Sequence, residues 1–297
     1  MKESKACQLF ETVMKEKAYN MERCGMGIGN YVFIVVTASS KYILRCSNEK
    51  NAYDDTIHWL SELKTCDIPI PKVLASGRLE IYEYLILSYA EGKDIGDIYR
   101  WLTDEEKRQI AKEVVNIQKS VSKLRTDVPL DWNWNTFVDR MLNRAYKLIS
   151  VNHYFDVSKV DEIRQMQKEL QDYMISVKPT PYLDDISTKN LLIDNGHVSC
   201  VIDIDWMGHG DILTFAAMTK VALLNMKLDT KYVDYLLEEL HTSEEQNKAF
   251  IFYCLLYCVD FMGERGTQFL DKVIPVNREI IDRLNDIYDE LMNQWEM

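Results

Sequence analysis

The chain changes character about a third of the way along, and that change limits it to a two-part α+β fold. Up to about residue 90, short β-branched and aromatic runs dominate. Tyr31-Val-Phe-Ile-Val-Val36 reads as a strand, Ser39-Ser40 as a turn, and 41–46 as its hairpin partner. Two more strands follow near 73–79 and 81–88, with helices expected over 5–19 and 51–65 and a break at Pro69 and Pro71. From about residue 94 helical spacing takes over. Thr103-Asp-Glu-Glu106 has the form of a capping box, and helical patterns continue near 135–150, 159–176 and 213–226. Asp229, Thr242-Ser-Glu-Glu245 and Asn277 are placed to start three more. One short strand pair, 191–193 and 198–203, interrupts this region and is joined by Asn195-Gly196, a two-residue hairpin turn. The expected division is a strand-rich unit over 1–90 and a helical unit over 91–297.

Composition narrows the function classes. The chain has 297 residues, 47% hydrophobic and 28% charged, as ordered globular proteins have. A formal net charge of −12 lacks the basic footprint of a nucleic-acid binder. It suits a cationic small-molecule partner, although solubility alone also accounts for it. Seven scattered cysteines without a CxxC pair indicate neither a disulfide framework nor a zinc site. A reducing cytoplasmic setting is expected, with no apolar signal core at the start and no membrane segment, since the apolar run over 249–259 is too short to span.

The polar residues that break the apolar pattern fall at two places. Asp185-Ile-Ser-Thr-Lys-Asn190 lies just before the isolated hairpin, and Asp203 leaves it, 13 residues beyond Asn190. One carboxylate on a loop can orient an attacking hydroxyl, while an amide oxygen and a second carboxylate suit Mg²⁺, which takes oxygen ligands. Taken singly, Asp185 and Asn190 are also ordinary turn residues. Asp205, two residues on and on the same strand face, would add to the metal site or, as the favoured alternative, be an acceptor-side or structural carboxylate. Near the start, Gly25, Gly27 and Gly29 sit between two strands, which disfavours dinucleotide-binding and P-loop motifs, since both need a helix there. Glycines in such a hairpin let backbone N–H groups approach phosphates, and they also suit any tight turn. Arg45, a lone cation in the strand Tyr42-Ile-Leu-Arg45, would pair with phosphates or lie at an exposed strand edge.

Taken in order from about Met21 to Phe215, these segments resemble the aminoglycoside phosphotransferase family of small-molecule kinases. Gly27-Ile-Gly29-Asn30 resembles that family's nucleotide lid, and Tyr42-Ile-Leu-Arg45 its phosphate-contacting strand. Tyr84-Leu-Ile-Leu-Ser88-Tyr-Ala90-Glu-Gly92 resembles the hinge whose backbone grips the adenine edge. Leu183-Asp-Asp185 through Asn190 resembles the catalytic loop, Val201-Ile-Asp203 the metal strand, and Gly210-Asp211 the turn beyond. The spacing of YILR and PIPKVL is most similar to the hygromycin-type enzymes. The resemblance implies a bilobal protein-kinase-like fold, with a small antiparallel β-rich N-lobe and a large helical C-lobe. It implies Asp185 as catalytic base and Asn190 and Asp203 on Mg²⁺. It also implies Gly27, Gly29, Asn30, Arg45, Ser88 and Ala90 on ATP or GTP, with Asp55, or else Asp54, as the partner of Arg45. The acceptor would be a hydroxyl of an aminoglycoside-type antibiotic, or alternatively of choline, homoserine or a sugar. Asp260 and Glu264, which interrupt an apolar helix four residues apart, are candidates to hold it alongside Asp205. The family usually has His where Leu183 stands, Gly at Asp184, and an acidic residue near Phe215.

Overall fold

The structure, a computed structural model, describes residues 1–24, 30–125, 127–269 and 272–296. In chain order the first elements are α1 (Glu3–Met14), β1 (Asn20–Arg23), β2 (Asn30–Val36), β3 (Lys41–Ser47), α2 (Asp54–Leu63), β4 (Val73–Leu79) and β5 (Tyr82–Ser88). Then come β6 (Lys93–Asp94), α3 (Ile95–Ile98), α4 (Asp104–Val121), α5 (Trp134–Asn152), α6 (Ser158–Glu169) and α7 (Gln171–Ser176). The remainder is β7 (Pro181–Tyr182), β8 (Leu191–Asp194), β9 (His197–Val201), β10 (Gly208–His209), α8 (Leu213–Asn225), α9 (Lys231–Leu240), α10 (Glu244–Glu264), β11 (Gln268–Phe269), β12 (Lys272–Val273) and α11 (Arg278–Glu296).

Two compact units result. The first contains residues 1–93 together with 191–207, so the hairpin expected among the helices belongs with the strand-rich unit. Its five-stranded antiparallel sheet runs β1-β2-β3-β5-β4. Period-two alternation turns Phe33 and Val35 of β2, Leu44 and Cys46 of β3 and Ile86 of β5 toward Ala6, Leu9 and Phe10 of α1, forming one buried cluster. The helix α1 stops earlier than the expected residue 19 because Lys15 turns left-handed, with φ +57°. In the β8–β9 hairpin, Asn195 and Gly196 take φ of +49° and +78°, the pair of positive values a type I′ turn needs.

The second unit, 94–190 and 208–297, is built around α10. From Ala249 to Gly263 this helix is buried on nearly every side, because α5, α6, α8 and α11 all pack on it. Its start is a capping box of Ser243 and Gln246, one residue past the expected Thr242, while Thr103 and Glu106 cap α4 and Asn277 Oδ1 accepts from Ile280 N–H. The single helix expected over 159–176 is two, divided at Leu170. Phe215 is fully buried in α8, as a core residue.

Gly210 is where packing leaves no room for a side chain. Its φ is +145°, and a Cβ there would lie 2.0 Å from the Trp134 ring. Gly210→Ala is therefore expected to destabilise the protein by about 3 kcal/mol or more, from backbone strain and overpacking together. Urea denaturation measures this, and a loss under about 1 kcal/mol would contradict the tight seating of Gly210 on Trp134.

Candidate active site

The candidate residues fall in both units. In the strand-rich unit, Arg45 sits on the central strand β3, paired to Val32 on one side and Leu85 on the other. It is buried, at 7% exposure, so its charge needs partners. They come from the chain beyond β9: the guanidinium donates to both carboxylate oxygens of Asp205, at 3.0 and 2.7 Å, and lies 3.5 Å from Asp203. Thr56 Oγ1 donates to the same Asp205 at 2.5 Å, and the ring of Tyr53 lies 5.4 Å from the guanidinium. The Arg45 Nε–H is buried without a hydrogen-bond partner among the described residues.

This corrects the expected partner. Asp54 and Asp55 occupy the first turn of α2 and are exposed, where acidic side chains favour the helix dipole, while Thr56, Leu60 and Leu63 face inward. The α2 residue that reaches the Arg45 cluster is Thr56, acting through Asp205. Burial alone would raise the Asp205 carboxyl, but hydrogen bonds and charge from Arg45, helped by Thr56, hold it below the usual range. Asp203 is raised instead, chiefly by burial and also by the charge of Asp205, with Arg45 opposing. Its backbone is left-handed, φ +58°, a conformation that Asp adopts more readily than most side chains.

Among the other nucleotide-side candidates, Ser88 N–H already donates to Lys72 O at 2.9 Å, and Ser88 Oγ accepts from Lys72 N–H at 2.9 Å. Ala90 follows β5 and is half-buried. Gly27 and Gly29 lie outside the described residues, and Asn30 is the first residue of β2.

In the helical unit, the loop 183–190 presents two adjacent carboxylates. Asn190 Nδ2 donates to both Asp185 O and Asp185 Oδ2, each at 3.0 Å. The amide nitrogen thus serves Asp185. Asn190 is also left-handed, φ +65°. A side-chain amide oxygen such as that of Asn190 and a carboxylate such as that of Asp203 are each the hard oxygen donors that Mg²⁺ prefers, so the residue types fit that ion. Asp184, where the family usually has Gly, is half-buried, and burial pushes its carboxyl up to about 6, with the Asp185 charge adding to the shift.

The loop is held from outside. Gln118 Nε2 donates to Leu183 O at 2.7 Å, and Leu183 N–H donates to Gln118 Oε1 at 2.9 Å. Gly96 N–H donates to Thr188 O at 2.9 Å, and a Cβ on Gly96 would lie 2.6 Å from that oxygen. Sequence reasoning missed both contacts, and the one available signal was a Gln at an inward position of α4. Asp260 and Glu264 do come together, but on a cation: Arg144 Nη1 donates to Asp260 at 2.6 and 2.8 Å, and Nη2 to Glu264 at 2.5 Å. Burial lifts Asp260 to about 6 even so, with Arg144 opposing. Tyr257 is pushed upward by burial, then by the charges of Asp184, Asp260 and, more weakly, Asp185.

With this geometry in view, the comparisons with known proteins are specific. The model of the phosphotransferase enzyme family matches residues 20–249, and the chain belongs to that family. Among solved structures it is similar to a thermostable mutant of aminoglycoside phosphotransferase APH(4)-Ia in complex with ADP and hygromycin B, at 16% identity and TM-score 0.63, covering 97% of this chain and 95% of that one. It is also similar to ADP-bound aminoglycoside phosphotransferase APH(2'')-Ib, at 13% identity and TM-score 0.65, with 99% of each chain covered. At these identities the likeness establishes the protein-kinase-like fold. An uncharacterized protein in the ileS 3' region of Staphylococcus aureus is 29% identical over 100 residues, 33% of this chain and 71% of that protein.

Two measurements check this description. Asp205→Ala leaves Arg45 buried with only Asp203 nearby and is expected to cost about 1–3 kcal/mol, while Asp55→Ala stays within about 0.5 kcal/mol. Equal losses in denaturant melts would reinstate α2 as the source of the counter-charge. Asp184 binds its proton more tightly in the folded protein than in the unfolded chain. Its contribution favours folding in acid and is lost as pH rises through about 6. Asp184→Asn should therefore gain on the wild type by about 1–2 kcal/mol between pH 5 and 8. A stability difference flat across that range would show that Asp184 is not buried as described.

Proposed function

We propose that this phosphotransferase moves the γ-phosphate of ATP or GTP to a hydroxyl of a small cationic molecule of the aminoglycoside type, in a Mg²⁺-dependent reaction. One observation carries the reading. Asn190 Nδ2 donates to Asp185, which steadies that carboxylate and leaves the amide oxygen to act as the metal donor in this reading. Asp185 is the base and orienting group: it accepts the acceptor's hydroxyl proton as the oxygen attacks the γ-phosphorus and the bond to the β–γ bridging oxygen breaks. Asn190 and Asp203 hold the ion, and bound Mg²⁺ neutralises charge on the phosphates. Arg45 stands beside Asp203 and tempers its negative charge, with its phosphate contact a further part of the proposal. Gly27, Gly29, Asn30, Ser88 and Ala90 are assigned to the nucleotide from the family motif alone. A cytoplasmic enzyme conferring antibiotic resistance fits this acceptor. No described helix is long and apolar enough to cross a membrane.

The adjacent carboxylates Asp184 and Asp185 and the formal net charge of −12 favour a cationic acceptor. One observation favours a second reading, a metabolic kinase of a small alcohol. Arg144 already pairs with both Asp260 and Glu264, which leaves less negative charge for a polycation.

Nucleotide consumption with Mg²⁺, tested against hygromycin B, gentamicin, streptomycin, choline and homoserine, separates the two readings. Turnover with the antibiotics supports the first and turnover with choline or homoserine the second. Asp185→Ala is expected to lower kcat by about 10²–10⁴-fold while nucleotide affinity stays within about twofold, since it removes the base and no phosphate contact. An Asp185→Ala enzyme that kept wild-type kcat would refute its catalytic role.

A further inference from the structure

The side chain of Gln118 is fully buried on α4. Its inward neighbours Ile110, Ala111, Val114, Val115 and Val121 are apolar, and the other buried polar residue of the helix, Lys107, pairs with Asp229. Burying a Gln in such a row is unfavourable unless both ends of its amide are satisfied. Here both ends go to one peptide residue: Nε2–H to the Leu183 carbonyl at 2.7 Å and Oε1 from the Leu183 N–H at 2.9 Å. A planar amide that grips both backbone groups of one residue acts like a neighbouring strand and fixes the plane and direction of the chain there. Leu183 lies two residues before Asp185, its own side chain is buried and apolar, and it has no polar group with which to hold the loop. Beyond Asp185, the Gly96–Thr188 contact holds the other side. The two carboxylates of the loop thus stand between two fixed points 5 residues apart in the chain, Leu183 and Thr188.

We propose that Gln118 is the positioning residue of this phosphotransferase, setting the direction of Asp185 through the Leu183 peptide without touching substrate. The catalytic consequence rests on the assignment of Asp185 as base, whereas the mechanical consequence does not. Gln118 belongs to a helix 65 residues upstream of the loop, so a change there reports on positioning and not on chemistry at the carboxylates.

The test compares Gln118→Met, which keeps length but loses both hydrogen bonds, with Val114→Ala, which loosens the same helix without touching the loop. Amide hydrogen exchange is read at Leu183 and across α10. kcat and KM are read for Mg-ATP and Mg-GTP with whichever of hygromycin B, gentamicin, streptomycin, choline or homoserine the wild type turns over fastest. Gln118→Met should speed exchange at Leu183 by about tenfold or more, with α10 unchanged. It should lower kcat by about 10²-fold with nucleotide KM within about threefold, as a displaced catalytic group does. Val114→Ala should lower the melting temperature and do neither. If Gln118→Met fails to fold, Gln118→Glu, which keeps the acceptor for Leu183 N–H and loses the donor, is measured for the same two quantities. A folded Gln118 variant matching Val114→Ala in both Leu183 exchange and kcat overturns the proposal. If the wild type turns over no acceptor, the phosphotransfer assignment is what has failed, and exchange at Leu183 alone decides the positioning role.

Discussion

In the helical unit a single buried carboxylate ties four helices together. Asp211 accepts from Tyr173 Oη at 2.5 Å, Tyr253 Oη at 3.0 Å and Leu213 N–H at 3.0 Å, joining α7, α10 and the start of α8. Tyr253 Oη accepts in turn from Trp134 Nε1 at 2.8 Å, which brings in α5. Burial raises the Asp211 carboxyl and the three donors oppose that rise, so the charge is tolerable only because the donors are in place. Removing any one of them would leave a buried charge short of a partner, which is why this corner has one arrangement and not several. Gly210, next in the chain, is seated against the same Trp134 ring.

That rigid corner matters for chemistry because the loop bearing Asp184 and Asp185 has little regular structure of its own. Its direction comes from buried groups around it: the Gln118 amide, the close approach of Gly96, and the bond from Asn190 to Asp185. The strand-rich unit solves a different problem, a cation at the centre of a sheet. Arg45 stays charged there because Asp205 accepts two of its hydrogen bonds, with Thr56 orienting the carboxylate. In this chain, then, the counter-charge for the sheet cation comes from the segment after β9, and α2 contributes a hydroxyl. Asn190 and Asp203, the two residues proposed to hold the metal, both have left-handed backbone, which Asn and Asp adopt more readily than other side chains.

Much of the fold was legible because it follows from local rules. Runs of β-branched and aromatic residues located β2 to β5, Asn195-Gly196 located the β8–β9 turn, and Thr103 with Glu106 marked the start of α4. What was not legible depends on contacts between distant residues. Nothing local distinguishes Asp55 from Asp205 as a partner for Arg45, since the choice turns on which face of α2 the sheet buries. The break at Leu170 lies inside a continuous helical pattern, and helix periodicity cannot register it. Gln118 looked like any polar residue on a long amphipathic helix, because its partner lies 65 residues away. Asp260 and Glu264 were read correctly as anomalous in an apolar helix, but the sequence did not show that Arg144 meets them both.

The central claim is that Asn190 and Asp203 bind the divalent ion that accompanies the nucleotide, and calorimetric titration tests it most directly. Nucleotide is titrated into wild type, Asn190→Ala and Asp203→Ala, with Mg²⁺ and with EDTA. In the wild type Mg²⁺ should tighten binding by about tenfold or more, roughly 1.4 kcal/mol, and each variant should lose most of that gain while keeping its metal-free affinity. Variants that retained the full Mg²⁺-dependent gain would contradict the account.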